Sequence, residues 1–180
     1  MMSCTELYYV TPNKRVVGYQ EFRNSHLGAM FVWSNLYKRH FKDRIAETKK
    51  IYGFEPKAPV SEDDYSCLWG LFKKSDVPIF ERVILGSTFD FVILEKKHFN
   101  RFYEDVMKYA VYHPAGSLLY QAIAIQKLSK RNIIGVCWNQ TSVNGDMYYE
   151  LKKHAKNDKL WSLYEEIDKQ QALNEVTKCS

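Results

Sequence analysis

Hydrophobic and polar residues follow two patterns along this chain. Short runs rich in β-branched and aromatic residues predict strands, and apolar residues at helical spacing predict helices. Near the start, "ELYYV" and "RVVGY" are rich in β-branched and aromatic residues and flank "TPNK", which predicts two short strands about a turn. The segments "FDFVILE" (Phe89–Glu95) and "NIIGVCW" have the same character and predict buried strands later in the chain. The pattern therefore indicates a modest sheet of about four or five strands.

Stripes of apolar residues at helical spacing predict about four or five helices. The clearest helix begins at Asn24 or Ser25, either of which can cap a helix start, and continues beyond Phe41. A second helix begins at Ser61, which forms a capping box with Asp64. The remaining helices are predicted within residues 96–113, 114–130 and 158–171.

Strands and helices do not alternate regularly, so the pattern favours an α+β fold over a doubly wound α/β fold. The chain has 180 residues and no internal repeat or dividing linker, which predicts a single globular domain over residues 1–180. In that domain we expect the helices to pack on a small, mostly antiparallel sheet. Residues 52–64 contain two prolines and are expected to form an exposed connection, and residues 172–180 are expected to fray.

A cluster of polar residues, "NQTSVNGDM", follows the last predicted strand. Its Asn144–Gly145 pair suits a type I′ turn, in which both central residues need a positive φ. The sequence therefore predicts a β-hairpin near residues 136–151, and a ligand-binding loop is the alternative. The arms of the hairpin would carry these candidates for contact with a partner: Asn139, Gln140, Thr141, Tyr148 and Tyr149.

The whole net charge of +5 lies in the first third of the chain. Residues 1–60 hold ten Lys/Arg and five Asp/Glu, whereas charges balance in the rest of the chain. The excess is densest within residues 38–50, on the polar side of the first long helix, where it would neutralise phosphates or an acidic protein surface. A solvated helix face is the simpler interpretation of such a run. The candidate binding residues of this basic patch are Lys38, Arg39, Lys42, Arg44, Lys49 and Lys50.

The chain lacks the short motifs that carry common cofactor and catalytic chemistry. It contains no G-x-G-x-x-G or G-x-x-x-x-G-K-[ST] phosphate cradle, no G-x-S-x-G nucleophile elbow and no H-E-x-x-H. Its four cysteines are widely spaced and form no C-x-x-C pair, so we expect free thiols in a reducing compartment. These observations predict a protein without a cofactor or a bound metal.

One weaker constellation lies at the start of the first long helix. The free N–H groups of a helix N-terminus bind anions, and a neighbouring Arg and His can assist. Capping by Asn24 or Ser25 alone is the simpler structural explanation. The candidate anion-binding residues are Arg23, Asn24, Ser25 and His26.

Together these features favour a non-enzymatic binding protein that modulates a nucleic acid or a nucleic-acid-associated host protein through the basic patch. No segment approaches the roughly 20 apolar residues of a membrane span, and the start lacks a signal-peptide pattern, so we expect a cytoplasmic protein. In size, in residue usage and in its lack of enzyme motifs, the chain resembles small accessory proteins of phages and mobile elements. Two alternatives stay open. One is a metal-independent enzyme that acts on a small nucleotide-like substrate through Arg23 and His26, and the other is an inhibitor that blocks a partner surface with Tyr148 and Tyr149.

Overall fold

Five strands form one open sheet in the computed structural model, which describes residues 4–23, 29–140 and 147–178. The sheet order is β2-β1-β4-β3-β5, and within the described ranges every neighbouring pair is antiparallel except β3 with β5. Helices pack on this sheet, so the predicted α+β class is confirmed. The strands are β1 (Cys4–Val10), β2 (Val16–Arg23), β3 (Val92–Glu95), β4 (Gly135–Gln140) and β5 (Trp161–Ser162).

Eight α-helices lie within the described ranges, three more than the largest number predicted. The long first helix divides in two at Phe41, and two further helices were not recognised in the sequence. Short 3-10 turns occupy Leu71–Lys73 and Lys96–His98. The helices are α1 (Ala29–His40), α2 (Lys42–Tyr52), α3 (Glu62–Gly70), α4 (Ile79–Gly86), α5 (Phe99–Tyr112), α6 (Ser117–Leu128), α7 (Tyr148–Lys156) and α8 (Leu163–Lys178).

The two faces of the sheet carry different layers of helix. Leu7 and Trp138 lie opposite each other in the β1–β4 register and belong to the main hydrophobic cluster, to which α1, α3, α4, α5, α6 and α8 also contribute. The next pair, Tyr8 and Cys137, faces the other way because alternate side chains of a strand point to opposite faces. That second face packs against Leu151 and other residues of α7. The α7 layer therefore lies across the sheet from the main cluster.

The prediction of a β-hairpin near residues 136–151 is wrong for the part of this segment that the structure describes. β4 pairs with β1 on one side and with β3 on the other, so neither edge of β4 is free for a hairpin partner. The expected second arm is instead helix α7, which buries Leu151 and Ala155, four residues apart, on the sheet. The predicted turn residues, 141–146, lie outside the described ranges. The hairpin-like strand pair of this fold is β1–β2, at the start of the chain.

The break between α1 and α2 follows from the packing of Phe41. Its ring stacks on the buried Tyr37 with ring centroids 5.4 Å apart, and its backbone leaves the helical region at φ −123° and ψ 38°. Beyond the break, α2 has no buried residue and ends at Gly53, whose positive φ of 74° suits glycine. The connection from α2 to α3 is largely exposed, although Pro56 and Pro59 are buried.

Among the described helices, none combines the length and the apolar composition needed to cross a membrane.

Candidate partner-binding surface

Three lysines of the predicted basic patch lie together in the structure. Lys38, at the end of α1, and Lys42 and Lys49, on α2, line one shallow groove of about 400 Å³. We call this the lysine groove. Its remaining lining consists of Ile45, Ala46 and Glu55.

The lysines in and around this groove are available to a partner. Lys38, Lys42 and Lys50 are exposed, and among the described residues none of them forms an ion pair. Lys49 pairs with Glu55 at 3.2 Å, and both side chains are largely exposed. An exposed pair of this kind contributes little to stability and is easily exchanged for another partner. The surface thus holds cations that folding does not use.

Arg44 belongs to the predicted patch but is directed away from the lysine groove. Its Nη1 donates to Asp63 at 2.7 Å and to Asp64 at 3.0 Å, which ties α2 to the first turn of α3. Burial acts to raise the pKa of Asp64, but the hydrogen bonds from Arg44 and from the N–H of Val60 hold that pKa below its ordinary value. Arg44 therefore positions α2, and its charge is already neutralised.

Arg39 is also directed away from the groove, towards the fully buried carboxylate of Glu81. Oε1 of Glu81 lies 3.0 Å from Nε of Arg39 in an ion pair and accepts from Nε2 of His113 at 2.7 Å, and Oε2 accepts from Nε2 of His40 at 2.6 Å. An ionised carboxylate only accepts hydrogen bonds, so both imidazoles donate from Nε2. Burial acts to raise the pKa of Glu81, yet the hydrogen bonds from His113 and His40 lower it to about 2.

Glu81 and its three partners form a structural anchor, which we call the Glu81 cluster: Arg39, His40, Glu81 and His113. It joins the end of α1, the first turn of α4 and the end of α5. Both carboxylate oxygens are engaged and none of the Glu81 side chain is exposed, so this carboxylate is not accessible to a substrate. Within the described ranges, no group of three or more His, Cys, Asp or Glu side chains is arranged to hold a metal ion. Sequence reasoning missed this cluster, and its one local signal is the Glu81–Arg82 pair inside the apolar segment "IFERVILG".

A second exposed feature lies at the far end of α2. Tyr52 and Phe54 are exposed over 69% and 51% of their surface, and their ring centroids are 6.2 Å apart. Ile51 and Val60 are also exposed and line, with both rings, a groove of about 580 Å³ beside α2. We call these four residues the aromatic end of α2. Sequence reasoning did not identify this feature, because it joins the last residues of α2, Ile51 and Tyr52, to residues beyond the helix, so no single period links its members.

The other predicted site residues are not brought together in the part of the chain that the structure describes. Asn139 is buried in β4 and donates from Nδ2 to Glu6 at 2.9 Å. Tyr148 stacks on Tyr8 with ring centroids 5.0 Å apart, whereas Tyr149 is exposed on α7. These candidates lie outside the described residues: the side chains of Arg23 and Gln140, and the whole of Asn24, Ser25, His26 and Thr141.

The lysine groove and the groove at the aromatic end of α2 are thus both lined in part by residues of the predicted basic patch. No protein-family model matches this chain, no curated protein is significantly similar to it, and no solved structure matches it. Its function is therefore inferred from the positions of its own side chains.

Proposed function

We propose that this chain is a binding protein for single-stranded nucleic acid, which it engages through the lysine groove and the aromatic end of α2. The observation that carries the proposal is that α2 has no buried residue, yet presents exposed lysines, of which Lys42 and Lys50 form no ion pair within the described ranges, and ends beside the exposed rings of Tyr52 and Phe54. Acting in the cytoplasm as an accessory protein, it would modulate the machinery that handles that nucleic acid.

The lysine groove supplies the electrostatic part of the interaction. A strand that crosses Lys38, Lys42 and Lys49 would release the counterions of about three phosphates. For a single strand this corresponds to a slope of about −2 in the dependence of log affinity on log salt. The exposed Lys50 would add to the long-range attraction without a fixed contact.

The aromatic end of α2 would provide the stacking contacts that favour a single strand over a duplex. Tyr52 and Phe54 have free ring surface, and bases that are not paired can stack on such rings at about 1–3 kcal/mol per base. The bases of a duplex already stack on each other and offer no face to these rings. An acidic protein surface would match the lysines but would gain less from two exposed rings, so nucleic acid is the better fit.

Fluorescence anisotropy with a labelled single strand of about 12 nucleotides, and with a duplex of the same length, tests the proposal. We expect the single strand to bind more tightly and the affinity to fall between about 50 mM and about 200 mM salt. Reversing two charges, in Lys38→Glu with Lys42→Glu, should weaken binding about tenfold or more and reduce the salt slope by about one. Tyr52→Ala and Phe54→Ala should each weaken single-strand binding about fivefold or more, and duplex binding less.

Lys156→Glu with Lys159→Glu is the matched control, since both lysines are exposed near the end of α7, across the sheet from α1. This variant has the same net charge as the groove variant and should bind almost as the wild type does. Equal losses in both variants would show a response to net charge alone and would reject the lysine groove. Absence of binding at about 50 mM salt would reject the proposal, and binding of polyglutamate instead would indicate an acidic protein partner.

A further inference from the structure

We propose that the outer face of the α5–α6 helix pair binds an amphipathic helix of a partner protein, and that the apolar stripe of this helix ends in acidic side chains. A groove of about 700 Å³ runs between α5 and α6 on this face. This α5–α6 groove is separate from α2 and does not depend on the function proposed above. Its lining consists of Asn100, Tyr103, Glu104, Ile123, Gln126, Lys127 and Lys130.

Apolar side chains stand exposed beside one end of the groove. Val111 is 77% exposed and Tyr120 is 69% exposed, and Met107 and Ile123 are exposed over nearly half of their surface. They are not needed for the core, because the inner face of α5 already buries a full apolar stripe that includes Phe102. A group of exposed apolar residues of this kind commonly marks an interaction site.

The spacing of these residues suits a helical partner. Met107 and Val111 are four residues apart on α5, and Tyr120 and Ile123 are three apart on α6, so each pair lies on one helix face. The residues that separate α5 from α6 form a short turn, 113–116, so the two helices run antiparallel and their exposed ridges flank the groove. From Tyr120 to Lys130 the ridge is about 15 Å long, which accommodates about three turns of a bound helix.

The charges at the other end of the groove orient the partner. Lys127 and Lys130 are exposed, and no ion pair involves either of them in the ranges that the structure describes. Among the described residues of the lining, Glu104 is the single acidic one, so the lysine end carries a net positive charge. A helix with apolar residues towards Val111 and Tyr120 would therefore place acidic side chains against Lys127 and Lys130.

Selection of random displayed peptides of about 16 residues on the immobilised protein tests this inference. We expect the enriched sequences to carry apolar residues at i, i+3 or i+4 and i+7, followed by two or more acidic residues. In anisotropy measurements, Val111→Glu should weaken their binding about tenfold or more, and so should Lys127→Glu with Lys130→Glu. Tyr149→Glu is the matched control, because it places a glutamate at an exposed position of α7 on the far side of the sheet, and it should change binding less than about twofold.

Val111 is mostly exposed, so Val111→Glu should leave the urea midpoint of unfolding unchanged. The double lysine variant tests the same groove independently of Val111. The inference would be overturned if Val111→Glu did not weaken the binding of the enriched peptides. It would also be overturned if the peptides that depend on Val111 carried no acidic residues. Two further results would replace the partner helix with another occupant. One is binding to phosphatidylglycerol vesicles that Val111→Glu abolishes, and the other is a wild-type dimer that the same substitution dissociates in sedimentation.

Discussion

Nε of Arg39 lies 3.0 Å from Oε1 of Glu81, and this ion pair joins the end of α1 to the first turn of α4. Arg39 follows Lys38 in the sequence, yet Lys38 faces the lysine groove and Arg39 holds a buried carboxylate. Successive residues of an α-helix point about 100° apart, so adjacent cations can take separate roles. In this protein one neighbour is available for binding and the other contributes to stability.

Replacing Arg39 should therefore destabilise the fold more than replacing Lys38. We expect Arg39→Gln to lower the free energy of unfolding by about 1–2 kcal/mol, because the buried carboxylate of Glu81 loses a paired cation while the two imidazoles stay in place. Lys38→Gln should change it by less than about 0.5 kcal/mol. Urea denaturation of both variants provides the comparison, and equal effects would contradict the division of roles.

The pH dependence of stability should report on Glu81. Its pKa in the folded state, about 2, lies below its ordinary value of 4.5, so the ionised carboxylate stabilises the fold above pH 4.5, and this stabilisation is lost as the pH falls towards 2. We expect Glu81→Gln to cost about 3 kcal/mol at neutral pH. The difference from the wild type should shrink as the pH falls through that window. Urea titrations at several pH values would show it, and a constant difference would argue against an ionised Glu81.

Asp105 should behave in the opposite sense. Burial raises the pKa of Asp105, although the hydroxyl of Tyr164 donates to it at 2.6 Å and opposes the rise. A raised folded-state pKa means that stability declines as the pH rises through that value. Asp105→Asn keeps an oxygen acceptor for Tyr164 and removes the buried charge, so it should stabilise the protein by about 1 kcal/mol at neutral pH.

Thermal unfolding of this variant at neutral and at acidic pH would measure the gain, which should vanish at low pH, where the wild-type carboxyl is protonated. The exposed Asp76, changed to Asn, serves as the control and should have little effect at either pH. A variant less stable than the wild type at neutral pH would show that the ionised Asp105 stabilises the fold through Tyr164.

Gly135 is required by the close approach of β3 and β4. A Cβ at this position would lie 2.5 Å from the carbonyl oxygen of Leu94 and 2.9 Å from Cγ1 of Ile93. We expect Gly135→Ala to cost about 2–3 kcal/mol, because the backbone of a central strand pair must move. A Cβ on Gly70 in α3 would meet open space, so Gly70→Ala should raise stability by about 0.5–1 kcal/mol. Thermal denaturation of the two alanine variants would give shifts of opposite sign, and a tolerated Gly135→Ala would contradict the packing described here.

Local signals were sufficient for several elements that carried their own periodicity or cap, although the periodic first helix divides at Phe41. The capping box at Ser61 was predicted, and in the structure its hydroxyl accepts from the N–H of Asp64 at 3.1 Å. The apolar stripe of α5 and the β-branched run of β3 were predicted in the same way, because burying one face of a helix or strand leaves a fixed spacing in the sequence. The strongest local turn signal, at Asn144–Gly145, predicted that β4 pairs with a strand that follows this turn. In the structure β4 pairs instead with β1 on one side and with β3 on the other.

By itself, the amino-acid sequence determined the α+β class, the places of most helices and strands, and the concentration of positive charge in residues 1–60. The tertiary structure alone decided how that charge is divided. Glu81 lies 42 residues after Arg39 in the sequence and His113 lies 32 residues after Glu81, so nothing local indicates that they meet. Packing of α1, α4 and α5 buries the carboxylate, and a buried carboxylate requires donors wherever the fold brings them. Arg39 of the predicted patch therefore pairs with Glu81, whereas Lys38, Lys42 and Lys49 stay exposed in the lysine groove.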